Sequence, residues 1–456
     1  MDKWRPEVYC GQAGMCSACR FVENPMPPPS AVAATPPTTH AGADPGQPYL
    51  RRGTAELHRA QWALFAAGFA TFSLLYCVQP LMPLFSQAFA VSPVQSSLSL
   101  SLSTVFLALA IFLVGLWAQA LPRKAVMAVS LFAAATLGTV AAFAPDWHTL
   151  LVLRALQGAA MGGVPAVAMA YLAEEVEPDT LGFVMGLYIS GSAFGGLTGR
   201  VITGFVSDYL GWRAALGALG ALGALGLLAA VLFVWLLPAS RRFVPRRGNG
   251  WRDARAGLAA HLCHGRLVAL FALAGLQAGA FVTVYNYVGY RLLLPPFSLS
   301  QTFIGAIFVV YLVGIVASTL FGRLADRHGR GAMLCTATSI AMAGLLLTLS
   351  DALSVLVAGI VVFTFGFFAA HAVASGWVGQ MARGYKAQAA SPYLLAYYLS
   401  ASVLGSVGGG SWSHGGWAGV VALAGALLAG AVGLSAWLYR GNPARGAAAA
   451  VRPPAA

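Results

Sequence analysis

Three ionisable side chains stand in stretches otherwise too apolar to hold them: Arg154 in "LLVLRALQG", Arg200 in "GGLTGR" and His371 in "FFAAHAVASG". Arginine keeps its charge at any physiological pH, so a buried one must face protein or a water-filled cavity. Histidine exchanges a proton near neutrality. These residue types suit binding and charge movement rather than bond cleavage. No nucleophile with its base, no metal-ligand spacing and no GxxxxGKS/T phosphate loop accompanies them, so neither enzyme chemistry nor a metal, a cofactor or direct ATP driving is expected.

Each of the three has a functional and a structural reading. Arg154 lies about two turns into its apolar stretch at ~3.6 residues per turn; it contacts a ligand or a coupled ion, or it hydrogen-bonds the carbonyls of neighbouring helices. Arg200 lies nearer the end of its stretch, where snorkelling to the interface and a packing role are expected. His371 carries a mobile proton or sits neutral with one satisfied hydrogen bond.

These side chains need elements that hold them in an apolar medium. The 456-residue chain is 58% hydrophobic and 9% charged, against about 25% charged in soluble domains. Lipid is therefore the solvent for most of it. Twelve apolar stretches of bilayer-crossing length recur, at 60–84, 94–120, 124–144, 147–173, 180–206, 212–237, 267–290, 300–322, 332–349, 353–381, 387–411 and 416–438. They are continuous and rich in Ala, Leu, Gly and Val, without the alternation of a membrane barrel. The expected fold is an all-α membrane protein of twelve transmembrane helices.

The formal charge of +13 reports topology and requires no nucleic acid. With the N-terminal segment inside, 23 of the 27 Lys and Arg fall on the cytoplasmic side; Arg213 and Arg291 fall outside, and Arg154 and Arg200 lie within helices. That bias places both termini in the cytoplasm. Residues 1–59, with "NPMPPPS" and "AATPPTTH", read as a disordered tail without a cleaved signal peptide. Its Cys10, Cys16 and Cys19 lack the second ligand pair that a metal site needs.

A basic segment, 238–266, divides the chain into six-helix bundles at 60–237 and 267–439, with a cytoplasmic tail at 440–456. "GLWAQALPRKA" (115–125) aligns without gaps to "GRLADRHGRGA" (322–332), and "YISGSAFGG" (188–196) to "YLSASVLGS" (398–406). The matches occupy equivalent places in the two halves, as duplication requires.

"GRLADRHGR" resembles the loop motif of the major facilitator superfamily, "LLVLRALQG" its helix-four motif, and "GSAFGGLTGR" its Gly-rich helix-five motif of exporters. Within the superfamily, "LLYCVQPLMP", "GLYISGSAFGGLTGR" and "FFAAHAVASGWVG" are similar to the YnfM-like inner-membrane transporters of bacteria. The resemblance implies two six-helix bundles rocking about a central site, and a monomeric inner-membrane carrier that exports a small compound in exchange for protons. The alternatives are an uptake symporter for a sugar, organic acid or nucleoside and, more remotely, a membrane enzyme or a non-transporting receptor.

On that pattern Arg154, Gln157 and Gly158 serve coupling, and Gly322, Asp326, Arg327, Gly329 and Arg330 form an inner gate. The first loop copy has Gln119 in place of the Asp, so the gate is expected to rely on Asp326. Gly191, Gly195 and Gly199 form a ridge for close helix packing beside Arg200; Gly196 replaces the exporter motif's Pro, and Arg200 its final Gly. No acid falls mid-span, so His371 or Glu174 carries the proton, or the protein is not proton-driven. Tyr76, Gln79, Gln277, Tyr285, Asn286 and Tyr287 are expected to line the substrate cavity.

Overall fold

The computed structural model describes residues 48–117, 121–243, 262–381 and 386–440. Cys10, Cys16, Cys19, Gln119 and most of the basic linker lie outside them.

With no water available to backbone groups in a bilayer, each apolar run satisfies its own N–H and C=O groups as a helix. In chain order these are α1 (Ala55–Tyr76), α2 (Met82–Ala88), α3 (Pro93–Trp117), α4 (Arg123–Ala141), α5 (Trp147–Met161), α6 (Gly163–Glu175), α7 (Pro178–Leu236), α8 (Gly265–Leu293), α9 (Gln301–Ala306), α10 (Tyr311–His328), α11 (Arg330–Leu347), α12 (Leu353–Met381) and α13 (Lys386–Arg440). Among the described residues, nine helical stretches are long and apolar enough to cross a membrane. Two of them bend back at Gly211 (φ 76°) and Gly416 (φ 54°), a backbone region open to glycine. Those bends, with the more polar α1 beginning "AELHRA", give the twelve crossings.

Among the described residues, three crossings are discontinuous. Pro80 interrupts the first between α1 and α2, since proline has no N–H to donate. Gly162 divides α5 from α6, and a 3-10 turn at Ile307–Val310 joins α9 to α10. The carbonyls released near such breaks become ligands for side chains, which matters at Arg154 below.

The halves repeat one packing scheme. In the first, α1 packs along α7; in the second, α8 packs along α13. A Cβ at Gly191, Gly195 or Gly199 would strike the carbonyl of Phe65, Phe69 or Ser73, so the ridge lets α7 lie directly on the α1 backbone. Contacts between the halves run from α3 to α13 and from α7 to α9. The largest apolar cluster draws on both halves.

The folded part begins earlier than residue 60. Thr54 Oγ1 caps α1 by accepting from the Leu57 N–H, and Leu50 forms a β-bridge with Val176. Tyr49 lies on the Arg242 guanidinium, 3.6 Å from ring centroid to Cζ. Local capping and pairing, which hydropathy does not register, recruit these residues to the basic end of the first half.

Candidate functional site

Arg154, 1% exposed, is held on all sides by neutral acceptors. Its Nε donates to the Ser99 carbonyl (3.0 Å), Nη1 to the Leu74 carbonyl (3.0 Å) and Gln157 Oε1 (2.5 Å), and Nη2 to the Leu75 carbonyl (2.7 Å). Gln157 Nε2 then donates to the Ala134 carbonyl at 3.1 Å. The Leu74 and Leu75 carbonyls come from the last turn of α1, just before the Pro80 break, and the Ser99 carbonyl from α3, so Arg154 braces that break from α5. Gly158 lies flat against Ser103 of α3, bringing the helices close enough for these bonds.

Arg200 does not snorkel to an interface. It is 2% exposed and joins the two halves. Nε donates to Gln79 Oε1 (2.8 Å) and Nη1 to the Gly196 carbonyl (2.7 Å), while Gln79 Nε2 donates to Asn286 Oδ1 of α8 (2.8 Å). Three rings surround the guanidinium, with centroids 4.1 Å (Tyr76), 4.7 Å (Tyr311) and 4.9 Å (Phe308) from Cζ. Asn286 Nδ2 is buried and makes no hydrogen bond.

From this arginine an aromatic tract runs to His371. Tyr311 packs on Phe368 (5.6 Å), Phe368 on Phe367 (5.3 Å) and Phe367 on the His371 ring (6.1 Å, nearly parallel). Tyr397 closes on His371 at 5.1 Å, and the Tyr393 hydroxyl is 3.0 Å from its Nδ1. Tyr76, Tyr311, Phe368, His371 and Tyr397 are only partly buried, although both halves contribute to the tract. Tyr76, Tyr311, Phe368 and Tyr397 pack against the largest apolar cluster while keeping part of their surface accessible.

The other expected cavity residues are engaged in helix packing. Gln277 donates to Thr338 Oγ1 (3.0 Å), and the Tyr287 hydroxyl donates to the Gly405 carbonyl (3.0 Å). The Tyr285 hydroxyl pairs with Thr364 (2.6 Å), but its ring borders the tract, 5.0 Å from Tyr311. Glu174 lies at the basic end, away from the tract, in a buried two-point pair with Arg123: Nη2–Oε1 2.7 Å and Nε–Oε2 3.2 Å. Asp326 pairs with Arg330 across its own connector (2.9 Å), where Gly329 (φ 90°) turns the chain. Gly322, Asp326 and Arg327, expected in a loop, lie in the last two turns of α10, and Arg330 opens α11.

Tyr311, Phe308, Phe368, Tyr393 and Tyr397 escaped sequence reasoning. An aromatic in a membrane helix has no spacing that distinguishes lining from packing, and only the meeting of helices from both halves marks these. Hydrogen bonds close the end opposite the basic connectors. Ser86 meets Tyr290 (2.8 Å), Thr104 meets Ser402 (2.5 Å), Ser406 Oγ donates to Ser101 Oγ (2.8 Å), and the Thr302 hydroxyl donates to Asp208 (2.7 Å). Gly204 and Gly305 bring α7 and α9 into backbone contact there. At the basic end, the ion pairs Arg123–Glu174 and Arg330–Asp326 each stay within one half, and Arg241–Glu56 ties the start of the dividing segment to α1.

Residues 64–295 match the family model described as Major Facilitator Superfamily. The chain is 45% identical to the MFS-type transporter YybF of Bacillus subtilis (strain 168) over 392 residues, covering 86% of this chain and 96% of YybF. It is 42% identical to the inner membrane transport protein YnfM of Escherichia coli (strain K12), covering 86% and 93%. Its fold is similar to that of a bacterial homologue of the human lysosomal transporter Spinster, solved in an inward-facing, unoccupied conformation. The TM-score is 0.68 at 14% identity, covering 85% of this chain and 98% of that one.

Proposed function

Because this chain belongs to the major facilitator superfamily of membrane transporters, we propose that it exports a small organic compound through the Arg200–His371 tract in exchange for protons. The observation that carries this reading is the tract itself. It joins a permanent cation to a titratable imidazole across partly open aromatic faces contributed by both halves. Alternating access requires such a site between bundles that rock around it.

His371 is the proton carrier in this scheme. Among the described residues, acids occupy helix ends and connectors: Glu56, Asp146, Glu174, Glu175, Glu177, Asp179, Asp208, Asp326 and Asp351. Glu174 is committed to Arg123, which leaves the imidazole as the group inside the tract that can take up and release a proton. The basic end, with both termini, faces the cytoplasm by the positive-inside rule, so the conformation is sealed on the outside. The protein works as a monomer in the inner membrane. The Gly-rich ridge of α7, similar to that of exporters, favours efflux; Gly196 and Arg200 depart from that motif's Pro and final Gly and weaken its weight against the alternative, uptake.

Purified chain in liposomes, given a panel of small organic compounds and an imposed pH gradient, is expected to move at least one of them in a gradient-dependent manner. His371→Gln is expected to keep exchange of that compound while losing the response to the gradient. Movement of none of the panel contradicts the proposal, and gradient-driven transport by His371→Gln removes the histidine from it. Lower accumulation of the transported compound in a deletion strain would assign uptake instead.

A further inference from the structure

We propose that Arg200 binds the charged head of an aromatic monoanion, so that the compounds moved are planar aromatic carboxylates. This rests on reading the Arg200–His371 tract as the transport site.

Two buried arginines allow a direct comparison. Arg154 uses four of its five donors, with every guanidinium nitrogen donating to a carbonyl or to Gln157. Its charge is spread over acceptors that belong to the fold, and a single N–H on Nη2 is left, too little for a two-point contact. Arg200 is equally buried but uses only Nε and one N–H of Nη1. Among the described residues Nη2 makes no hydrogen bond, so its donors and the second one on Nη1 are left over from the five a guanidinium carries. Adjacent N–H groups of this kind match the two oxygens of a carboxylate.

Charge points the same way. No described acid pairs with Arg200. The acid further along its own helix, Asp208, accepts from the backbone and hydroxyl of Thr302. A buried cation without a counter-charge is costly, and an incoming anion supplies the missing partner. An organic cation would meet repulsion instead.

The surroundings select the rest of the ligand. Tyr76, Tyr311 and Phe308 crowd the guanidinium, and the partly open rings of Tyr76, Tyr311, Phe368 and Tyr397 continue away from it. A planar ring stacks on such faces while its carboxylate reaches Arg200.

Binding also acts on the link between the halves. A carboxylate that draws Arg200 Nε away releases Gln79 Oε1 from its bond. The unpartnered Nδ2 of Asn286 is then a waiting donor for the freed oxygen. The Arg200–Gln79–Asn286 chain, which closes the halves in this conformation, is thereby rearranged by the substrate itself.

The test measures binding of benzoate, phenylacetate and indole-3-acetate to the purified full chain by calorimetry, each beside its amide and the corresponding amine. At least one carboxylate is expected to bind, with its amide and amine about tenfold weaker or more. Arg200→Gln should weaken that carboxylate about 10- to 100-fold, and Arg200→Lys should keep the preference for acid over amide at reduced affinity, which separates lost recognition from lost folding. Amides binding as tightly as acids, an unchanged affinity in Arg200→Gln, or no binding by any of the three acids would overturn the proposal. Liposome transport separates the two readings. Gradient-driven movement of the amides or amines but not the acids leaves the transporter reading standing and removes the anion, whereas no movement of any compound removes the site itself.

Discussion

At the scale of single residues, Arg154 and Arg200 show how environment divides one side chain into two uses. Their sequence contexts invite the opposite assignment, because Arg154 sits deep in its stretch and matches a family motif while Arg200 lies near a helix end. What decides is which carbonyls are free nearby, and that depends on the Pro80 break in a helix some 75 positions away in the chain. Arg154→Met should therefore act on the fold. It strips donors from the carbonyls of Leu74, Leu75 and Ser99; Leu74 and Ser99 keep Cys77 Sγ and Ser103 Oγ as donors, while a carbonyl left buried and unpaired, as at Leu75, costs about 1–3 kcal/mol. A melting temperature lowered by several degrees, with the remaining folded protein still binding ligand, is the expected outcome. An unchanged melting curve with lost binding would instead give Arg154 the contact role.

At the scale of elements, the helices and the glycine ridge were legible, because lipid forces a long apolar run into a helix and glycines four apart fall on one face. The bends were half legible: stretches ending at 206 and 411 and resuming at 212 and 416 bracket Gly211 and Gly416, though the helical hydrogen bonding runs on around them. The start of α1 was not, since Thr54 capping and the Leu50–Val176 bridge are local polar events in a segment whose composition reads as tail. Gly195→Val should cost about 1–3 kcal/mol through overpacking against the Phe69 carbonyl, read as loss of folded protein in size-exclusion chromatography. Full yield would mean α7 can stand off from α1.

The connector between α10 and α11 behaves differently. Asp326, 68% exposed, pairs with Arg330 four residues on, a contact worth about 0–1 kcal/mol. Asp326→Asn should leave the melting temperature nearly unchanged while slowing transport, as the inner-gate role implied by the family resemblance requires. Normal transport in Asp326→Asn together with lost transport in Gln119→Ala, at equal expression, contradicts an asymmetric gate.

At the scale of the whole molecule, the two halves share one internal plan, α1 with α7 and α8 with α13, and meet through α3 with α13 and α7 with α9. The polar links between them gather toward the end opposite the basic connectors, and the tract lies behind that seal. Sequence patterning reached the twelve crossings and the six-plus-six division, but not this closure: Ser101, Thr104, Ser402 and Ser406 become a latch only when the halves are brought together.

A reversible lock on that latch tests alternating access at this site most directly. In a chain whose native cysteines are replaced, Ser101→Cys with Ser406→Cys places two thiols where the hydroxyls now meet at 2.8 Å. Oxidation is expected to form the disulfide and stop transport in liposomes, and dithiothreitol to restore it. A cross-linked protein that transports at the full rate would show that these faces never part, and would contradict the account.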